Sequence, residues 1–264
     1  MSKLAPRGVI LVVHGLGDHL GRFEHLARTV NEAGWSLFAF DLPGHGDSPG
    51  KPGTIQSFDS VLEDICEVRR TVAEYCPGLP QVLLGHSMGG NFAANYALRM
   101  LTIDTDSPPL AGLALCAPML MPPQLMPRPI IFAAWLTGRL FPWFRFDRKV
   151  DPDLLTQDAD EADQIRRDPK THGKISMYLA TQLVSQGRWA IDHARDIRIP
   201  TLVMYGKEDS MIDRDACDHL AIRIGKPATM IRLPHTRHAI FHDVERDTAI
   251  EELTRWLDSV SAKN

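Results

Sequence analysis

A glycine-rich turn at residues 85–90 constrains the fold of this chain more than any other segment. It reads Gly-His-Ser-Met-Gly-Gly, follows the apolar residues 81–84 and precedes a helical pattern over residues 91–98. The glycines two positions from Ser87 allow strained backbone angles and a close approach of strand and helix. The segment therefore predicts a sharp strand–turn–helix connection that exposes the Ser87 hydroxyl. The alternative is a glycine-rich turn that contains a serine by chance.

Apolar runs alternate with amphipathic segments along most of the chain. The runs are near-continuous rather than alternating, as expected for strands covered on both faces. They lie at residues 9–13, 37–40, 82–84, 110–116, 201–205 and 229–233, with helical patterns at 20–33, 58–75, 213–224 and 244–260. This order predicts an α/β fold with a doubly wound, mostly parallel sheet of about six core strands.

The alternation stops between residues 119 and 196. The segment begins rich in proline, contains a helical pattern around residues 175–186 and shows no strand pattern. Because structureless loops of this length are uncommon, the segment predicts an inserted helical cap. The core then consists of residues 1–118 and 197–264, and the cap of residues 119–196.

Charge and composition exclude several classes of function. A net charge of −4 and a pI of about 6.2 give no support for nucleic-acid binding. No apolar run is long enough to span a bilayer, and the N-terminus lacks the apolar region of a signal peptide, so we expect a cytoplasmic protein. The cysteines lack metal-ligand spacing, which predicts reduced thiols, although spacing alone allows a bridge between Cys66 and Cys76.

Serine needs an adjacent base, and the base needs an orienting acid, to act as a nucleophile near neutral pH. After an exposed serine of this kind, the acid and then the histidine follow later strands. The acid is expected in the loop after residues 201–205, where we favour Asp209 over Glu208 and Asp213. Asp213 suits the N-cap of the helix that follows it.

The loop after residues 229–233 contains three histidines, at positions 235, 238 and 242. His238 directly precedes the apolar residues 239–241, which would pack it against the turn that carries Ser87. We therefore favour His238 over His235 and His242 as the base.

A tetrahedral oxyanion needs two backbone donors. One is the amide of the residue after the nucleophile, Met88. The other is expected in the loop after the first core strand, which reads His-Gly-Leu-Gly at residues 14–17 and places the Leu16 amide there.

A dinucleotide-binding fold is the competing interpretation of the first strand and turn. Gly15, Gly17 and Gly21 follow that strand, and Asp41 ends the next one. However, the glycine spacing is one residue too long, and no tyrosine has a lysine four residues further on. The dehydrogenase interpretation is therefore the weaker one.

Taken together, these motifs resemble those of a known family. An H-G-x-G-[DE]-H pattern matches residues 14–19, D-x-x-G-H-G-x-S matches 41–48, G-H-S-M-G-G matches 85–90, and G-x-x-D-x-x-[VI] matches 206–212. The chain resembles the monoglyceride lipase and lysophospholipase branch of the α/β hydrolases. It departs from that branch at the start, where few residues precede the first core strand and an antiparallel hairpin is usual.

The resemblance implies the α/β-hydrolase fold and a serine carboxylester hydrolase. Ser87, Asp209 and His238 would form the catalytic triad, and Leu16 and Met88 would supply the oxyanion donors. Monoacylglycerol or a lysophospholipid is the implied lipid ester substrate, hydrolysed through an acyl-enzyme without metal or organic cofactor. The oligomeric state stays open.

The first part of the cap combines basic and aromatic residues. Residues 126–149 contain five arginines and lysines against Asp147. This composition predicts either peripheral contact with an anionic membrane or a helix that packs its aromatic side chains on the core. In both cases we expect an apolar-lined pocket above Ser87. The aromatic positions are Phe132, Trp135, Phe141, Trp143, Phe144 and Phe146.

Other functions remain as alternatives. A general carboxylesterase, an acyltransferase or an aminopeptidase would use the same residues, and the last would need a pocket for a peptide amino terminus. Acidic residues of the cap would supply it. A non-catalytic ligand-binding protein with this fold is the alternative from a different class. The acidic residues are Asp158, Asp160, Glu161 and Asp163.

Overall fold

A parallel sheet forms the centre of the molecule in the computed structural model, which describes residues 6–101, 103–124 and 127–261. Within these residues the strands are β1 Gly8–Val13, β2 Trp35–Ala39, β3 Gln81–His86, β4 Leu110–Cys116, β5 Arg145–Asp147, β6 Lys174–Ser176, β7 Thr201–Gly206 and β8 Ala228–Leu233. The α-helices there are α1 Glu24–Glu32, α2 Phe58–Tyr75, α3 Met88–Arg99, α4 Arg128–Leu140, α5 Ala159–Arg167, α6 Met177–His193, α7 Arg214–Ile224 and α8 Arg246–Ser261.

Six strands pair in the order β2-β1-β3-β4-β7-β8, and every pair is parallel. The chain winds outward in both directions from β1. Every residue of β1 and β3 is buried, because helices flank the sheet and leave no wet face, which explains their continuous apolar sequences. The predicted α/β fold with six parallel core strands is confirmed.

Helix α2 illustrates how local sequence sets an element. It begins after Ser57, whose hydroxyl accepts the Ser60 N–H at 2.9 Å, and the Ser60 hydroxyl accepts the Ser57 N–H in return. Val61, Leu62 and Ile65 then form its buried face. Its bounds are those that the sequence predicts.

The cap lies between β4 and β7 and contains two strands that the sequence did not predict. β5 and β6 pair antiparallel, and the helix expected around residues 175–186 begins only at Met177, with Ser176 as its N-cap. Strands of three residues are too short to show a two-residue period, so the sequence gives no strand pattern there, and helices α4, α5 and α6 form the rest of the cap. The predicted boundaries fall two residues after β4 and at the end of the 3₁₀ helix Ala194–Asp196.

Residues 172–176, which we call the docked segment, join the cap to core loops through main-chain contacts. The His172 N–H donates to the Gly17 carbonyl at 3.1 Å, and the Ser176 N–H donates to the Gly53 carbonyl at 2.7 Å. Gly17 and Gly53 both have positive φ, and a Cβ at Gly17 would lie 1.7 Å from the His172 oxygen. Only glycine at these positions allows the two backbones to approach so closely.

Two further expectations concern membrane-spanning segments and the state of the cysteines. The described residues contain no helix long and apolar enough to cross a membrane. All four cysteines are free thiols, so no bridge joins Cys66 to Cys76. The N-terminal residues 1–5 and Met126 lie outside the described residues.

Candidate active site

Ser87 sits on a strained turn between β3 and α3. Its φ and ψ are 54° and −117°, a conformation that is costly for a residue with a Cβ. A Cβ at Gly89 would lie 2.0 Å from the Val13 oxygen, and one at Gly85 would lie 2.3 Å from the Gly89 oxygen. The Ser87 N–H donates to the Cys116 carbonyl at 3.0 Å, which ties the turn to the end of β4.

The structure brings Ser87 together with His238 and Asp209. His238 Nε2 lies 2.8 Å from Ser87 Oγ, and His238 Nδ1 lies 2.7 Å from Asp209 Oδ2. The other Asp209 oxygen accepts the Met211 N–H at 2.8 Å, and the Asp209 side chain is fully buried. A carboxylate at Nδ1 favours the tautomer that leaves Nε2 free to accept the serine proton.

The rival residues lie elsewhere or have other partners. His235 is exposed and faces Glu208 at 3.8 Å, whereas His242 Nδ1 lies 3.3 Å from Glu161 Oε2. Asp213 caps α7 by accepting amide protons of its first turn, as its position before the helix predicted. None of these groups is within hydrogen-bond distance of Ser87 or His238 in the described part of the chain.

The predicted oxyanion donors flank the serine. Met88 is the first residue of α3, so its N–H has no partner within the helix. In residues 6–101, 103–124 and 127–261, the Leu16 N–H has no acceptor either. A Cβ at Gly15 would lie 3.1 Å from the Ser87 Cβ, so the loop that carries Leu16 passes directly beside Ser87.

His14 holds that loop from inside the core. Its Nε2 accepts the Leu42 N–H at 3.0 Å, so its Nδ1 carries the proton and donates to the Gly15 carbonyl at 2.8 Å. Burial lowers the pKa of His14, which keeps the ring neutral and this tautomer in place.

His86 makes a contact at the candidate site that sequence reasoning missed. Its Nε2 lies 3.1 Å from the carbonyl oxygen of His238, so it donates to the loop that carries His238. Burial, followed by the nearby His238, lowers the pKa of His86 to about 4. A neutral donor therefore supports the His238 backbone, and its place inside the 85–90 motif was the available signal.

A cavity of about 450 Å³ opens above Ser87 and His238. Asp18, Arg22 and His242 provide a polar end, with Arg22 3.4 Å from Asp18. Burial alone would raise the pKa of Asp18, but nearby positive charge, that of Arg22 foremost, outweighs it, so the pKa is lowered and the carboxylate is charged. The apolar part is lined by Leu16, Phe23, Val150, Pro152, Leu155, Ile165, Met211, Ala239 and Phe241.

The cavity is thus mixed, whereas the sequence predicted an apolar lining. The reason is that the aromatic residues of α4 and its following loop point to solvent instead of lining the cavity. Phe132 and Trp143 are 62% and 63% exposed. In the described residues no group of three or more histidine, cysteine or acidic side chains could hold a metal ion.

Comparison with known proteins relates this chain to hydrolases. A family model described as serine aminopeptidase, S33, matches residues 5–245. Monoacylglycerol lipase from Mycolicibacterium smegmatis is 28% identical over 256 residues, which cover 96% of this chain and 89% of that protein. Human monoglyceride lipase is 26% identical over 254 residues, covering 90% of this chain and 81% of that protein.

A crystal structure of a monoacylglycerol lipase from Paleococcus ferrophilus has the same fold. It matches this structure with a TM-score of 0.86 at 29% identity and covers 97% of this chain and 96% of that chain.

Proposed function

The chain belongs to the serine aminopeptidase S33 family of α/β hydrolases, and from that premise we propose that it is a serine carboxylester hydrolase of the monoacylglycerol lipase type. Monoacylglycerols or lysophospholipid-type esters are the proposed substrates. The observation that carries the proposal is the hydrogen-bonded series Ser87–His238–Asp209, with distances of 2.8 and 2.7 Å.

In the proposed mechanism, His238 Nε2 takes the Ser87 proton as Ser87 Oγ attacks the ester carbonyl. Asp209 keeps the proton of His238 on Nδ1 and stabilises the imidazolium that forms. The amides of Leu16 and Met88 stabilise the oxyanion.

The collapse of the tetrahedral intermediate breaks the bond to the alcohol, and His238 returns the proton to the leaving oxygen. Water then attacks the acyl-enzyme, again with His238 as base, and releases the carboxylic acid.

The polar end of the cavity supports an alcohol with free hydroxyl groups. The Asp18 carboxylate accepts hydrogen bonds, the Arg22 guanidinium donates them, and both line the same cavity as Ser87. A glyceryl group offers hydroxyls for both roles, and the apolar wall accommodates an acyl chain.

Replacing the nucleophile tests this proposal most directly. Ser87→Ala should lower kcat for a soluble short-chain monoacylglycerol by roughly 10⁴- to 10⁶-fold while the fold is retained. Labelling by a fluorophosphonate should disappear with it. Ser185→Ala, at an exposed serine of α6, is the matched control and should keep both signals. Activity of the Ser87 variant within tenfold of the parent would refute the assignment.

An aminopeptidase is the second candidate, because the matching family model carries that description. The predicted acidic residues of the cap have partners that argue against it: Asp158 and Glu161 pair with Arg246, and Asp163 pairs with Arg166. Comparing aminoacyl amides with monoacylglycerols distinguishes the two. Faster turnover of the amides would favour the peptidase.

We also propose peripheral membrane contact through the first part of the cap. Its exposed apolar side chains, which we call the α4 face, form a surface larger than the scattered apolar residues of a soluble protein. Arg139, Arg145 and Lys149 are exposed beside it, whereas the Arg128 side chain lies outside the described residues. Flotation with anionic vesicles that weakens as salt increases would support this contact. The α4 face comprises Ile130, Ile131, Phe132, Trp135, Leu136, Leu140, Phe141, Trp143, Phe144 and Phe146.

A further inference from the structure

The catalytic cavity carries more positive than negative charge, although the chain as a whole has a net charge of −4. Its charged lining consists of Arg22, Arg148, Lys149 and Arg166 against Asp18 and Asp147. A cavity lined mostly by one sign of charge attracts ligands of the opposite sign.

Two of these cations already have acidic partners. Arg22 lies 3.4 Å from Asp18, and Arg166 lies 2.6 Å from Asp153. Ion pairs within the protein therefore largely neutralise the charge of Arg22 and Arg166.

Arg148 and Lys149 differ from those two. In the described residues neither side chain forms an ion pair or a hydrogen bond, and both are exposed at the cavity. Their backbone, in contrast, is fixed: the Arg148 N–H donates to the Gly173 carbonyl at 2.9 Å, and the Lys149 N–H donates to Asp147 Oδ1 at 2.9 Å. Two cations without a protein partner thus extend from a fixed backbone at the lining of the cavity that contains Ser87.

Lys149 also occupies an uncommon conformation for a residue with a side chain, with φ of 43°. A Cβ at Gly173 would lie 2.9 Å from the Lys149 nitrogen, so the docked segment packs tightly beneath this turn.

We propose that Arg148 and Lys149 form a subsite for a phosphate group on the alcohol part of the ester, so that the preferred substrate is a phosphorylated monoacylglycerol. This inference rests on the proposed ester hydrolysis and specifies its substrate. A guanidinium and an ammonium provide charge-assisted donors for a phosphate dianion, and neither group pairs with a carboxylate in the described residues. A choline or ethanolamine head group would place a cation near the same residues, so these lipids would bind more weakly at the subsite.

The test compares three eight-carbon esters, kept monomeric so that binding to a lipid surface plays no part. They are 1-octanoylglycerol, its 3-phosphate, and the glycerol monoester of octanedioic acid, which carries its anion on the acyl side. We expect the phosphate to have a kcat/KM roughly 10- to 100-fold above that of 1-octanoylglycerol, mainly through a lower KM. Raising the salt concentration should reduce this ratio.

The variant Arg148→Gln with Lys149→Asn removes both charges, and asparagine tolerates the backbone conformation at position 149. The ratio of phosphate to neutral ester should fall toward 1 in this variant. Arg198→Gln with Lys226→Asn removes the same charge from exposed positions outside the cavity lining and should keep the ratio. Thermal unfolding and fluorophosphonate labelling establish that each variant is folded and has a reactive serine.

The possible results separate the two proposals. If the neutral ester is hydrolysed but the phosphate has no advantage, or if its advantage survives in the Arg148/Lys149 variant, the subsite is overturned while ester hydrolysis stands. A preference for the octanedioic ester over the phosphate also overturns the assignment, because it moves the anion to the acyl side. If no ester is hydrolysed, the proposed function itself fails, and the subsite with it.

Discussion

The docked segment and the α4 face belong to the same insertion, yet they relate to the core in opposite ways. The docked segment contacts core loops through its main chain, with His172 and Ser176 donating to Gly17 and Gly53. The α4 face leaves its large apolar side chains in solvent. Membership of the cap therefore does not indicate whether a segment contacts the loops around Ser87.

The docked segment and the α4 face therefore have separate roles. Gly17 follows Leu16, the proposed oxyanion donor, so the docked segment contacts the residue next to a proposed catalytic group. The α4 face lines no part of the catalytic cavity and is free to meet a surface that contains substrate. We infer that chemistry depends on the docked segment, whereas access to lipid depends on the α4 face.

Displacing the docked segment should have the largest effect. Gly17→Ala places a Cβ 1.7 Å from the His172 oxygen, so the loop that carries Leu16 and the docked segment must move apart. Loss of one oxyanion donor lowers kcat by roughly 10²- to 10³-fold, and we expect a loss of that order with a smaller change in KM. Kinetics with a soluble ester measure it.

Gly78→Ala is the matched control for this change. Gly78 has a similar φ of +77°, but a Cβ there would meet nothing within 4 Å. It carries the backbone strain alone, which costs about 1 kcal/mol of stability and should leave kcat unchanged. Equal kcat in both variants would show that the docked segment does not position the oxyanion loop.

The two halves also differ in how far sequence could predict them. Ser87, Asp209 and His238 each follow a core strand, and the end of a parallel strand is fixed by the sheet. Their proximity could therefore be inferred from chain order alone. The glycine spacing at Gly15 and Gly17 that resembles a dinucleotide-binding turn belongs instead to a loop that lies against Ser87.

The cap could not be predicted in the same way, because it has no repeating period. Its short strands β5 and β6 exist through pairing with each other and through contacts with glycines distant in sequence. Whether α4 packs on the core or faces solvent depends on tertiary neighbours that an amphipathic pattern does not identify. The same holds for His86, whose role depends on the His238 carbonyl 152 positions away.

Lowering the pH should have the next largest effect, because buried histidines beside the docked segment make the free energy of unfolding depend on pH. The rings of His14, His45 and His172 form a row, with centroids 5.2 and 4.8 Å apart, that joins the core to the docked segment. Burial lowers the pKa of His45 to about 3, while an unfolded chain titrates near 6.5. Below about pH 6.5 the unfolded state thus binds more protons, and stability falls as pH decreases toward 3.

The size of this effect follows from linkage. Well below its unfolded pKa, one such group lowers the free energy of unfolding by about 1.4 kcal/mol per pH unit. Because the unfolded group is only half protonated at pH 6.5, the loss between pH 6.5 and pH 5 is about 1.6 kcal/mol. Between pH 6.5 and pH 5, urea unfolding should show a loss of stability that is smaller by this energy for His45→Phe than for the parent, whereas His25→Phe, at an exposed histidine, should lose as much stability as the parent. An unchanged loss in the His45 variant would mean that the row does not couple acid to stability.

Changes on the α4 face should have the smallest effect on the folded protein. Phe132 and Trp135 stack with ring centroids 5.9 Å apart and are 62% and 46% exposed. Replacing both with serine removes little buried area, so the free energy of unfolding should change by less than about 0.5 kcal/mol. Binding to anionic vesicles should weaken by roughly tenfold or more, because these side chains would be buried at the interface.

Tyr75→Ser removes another exposed aromatic residue, 75% exposed at the end of α2, and should leave vesicle binding unchanged. Hydrolysis of a monomeric ester should be the same in all three proteins, since none of the substituted residues lines the cavity. Destabilisation of the Phe132/Trp135 variant by several kcal/mol would instead show that the α4 face packs on protein. In that case the contrast between the two halves of the cap would disappear, because both would contribute to the stability of the fold.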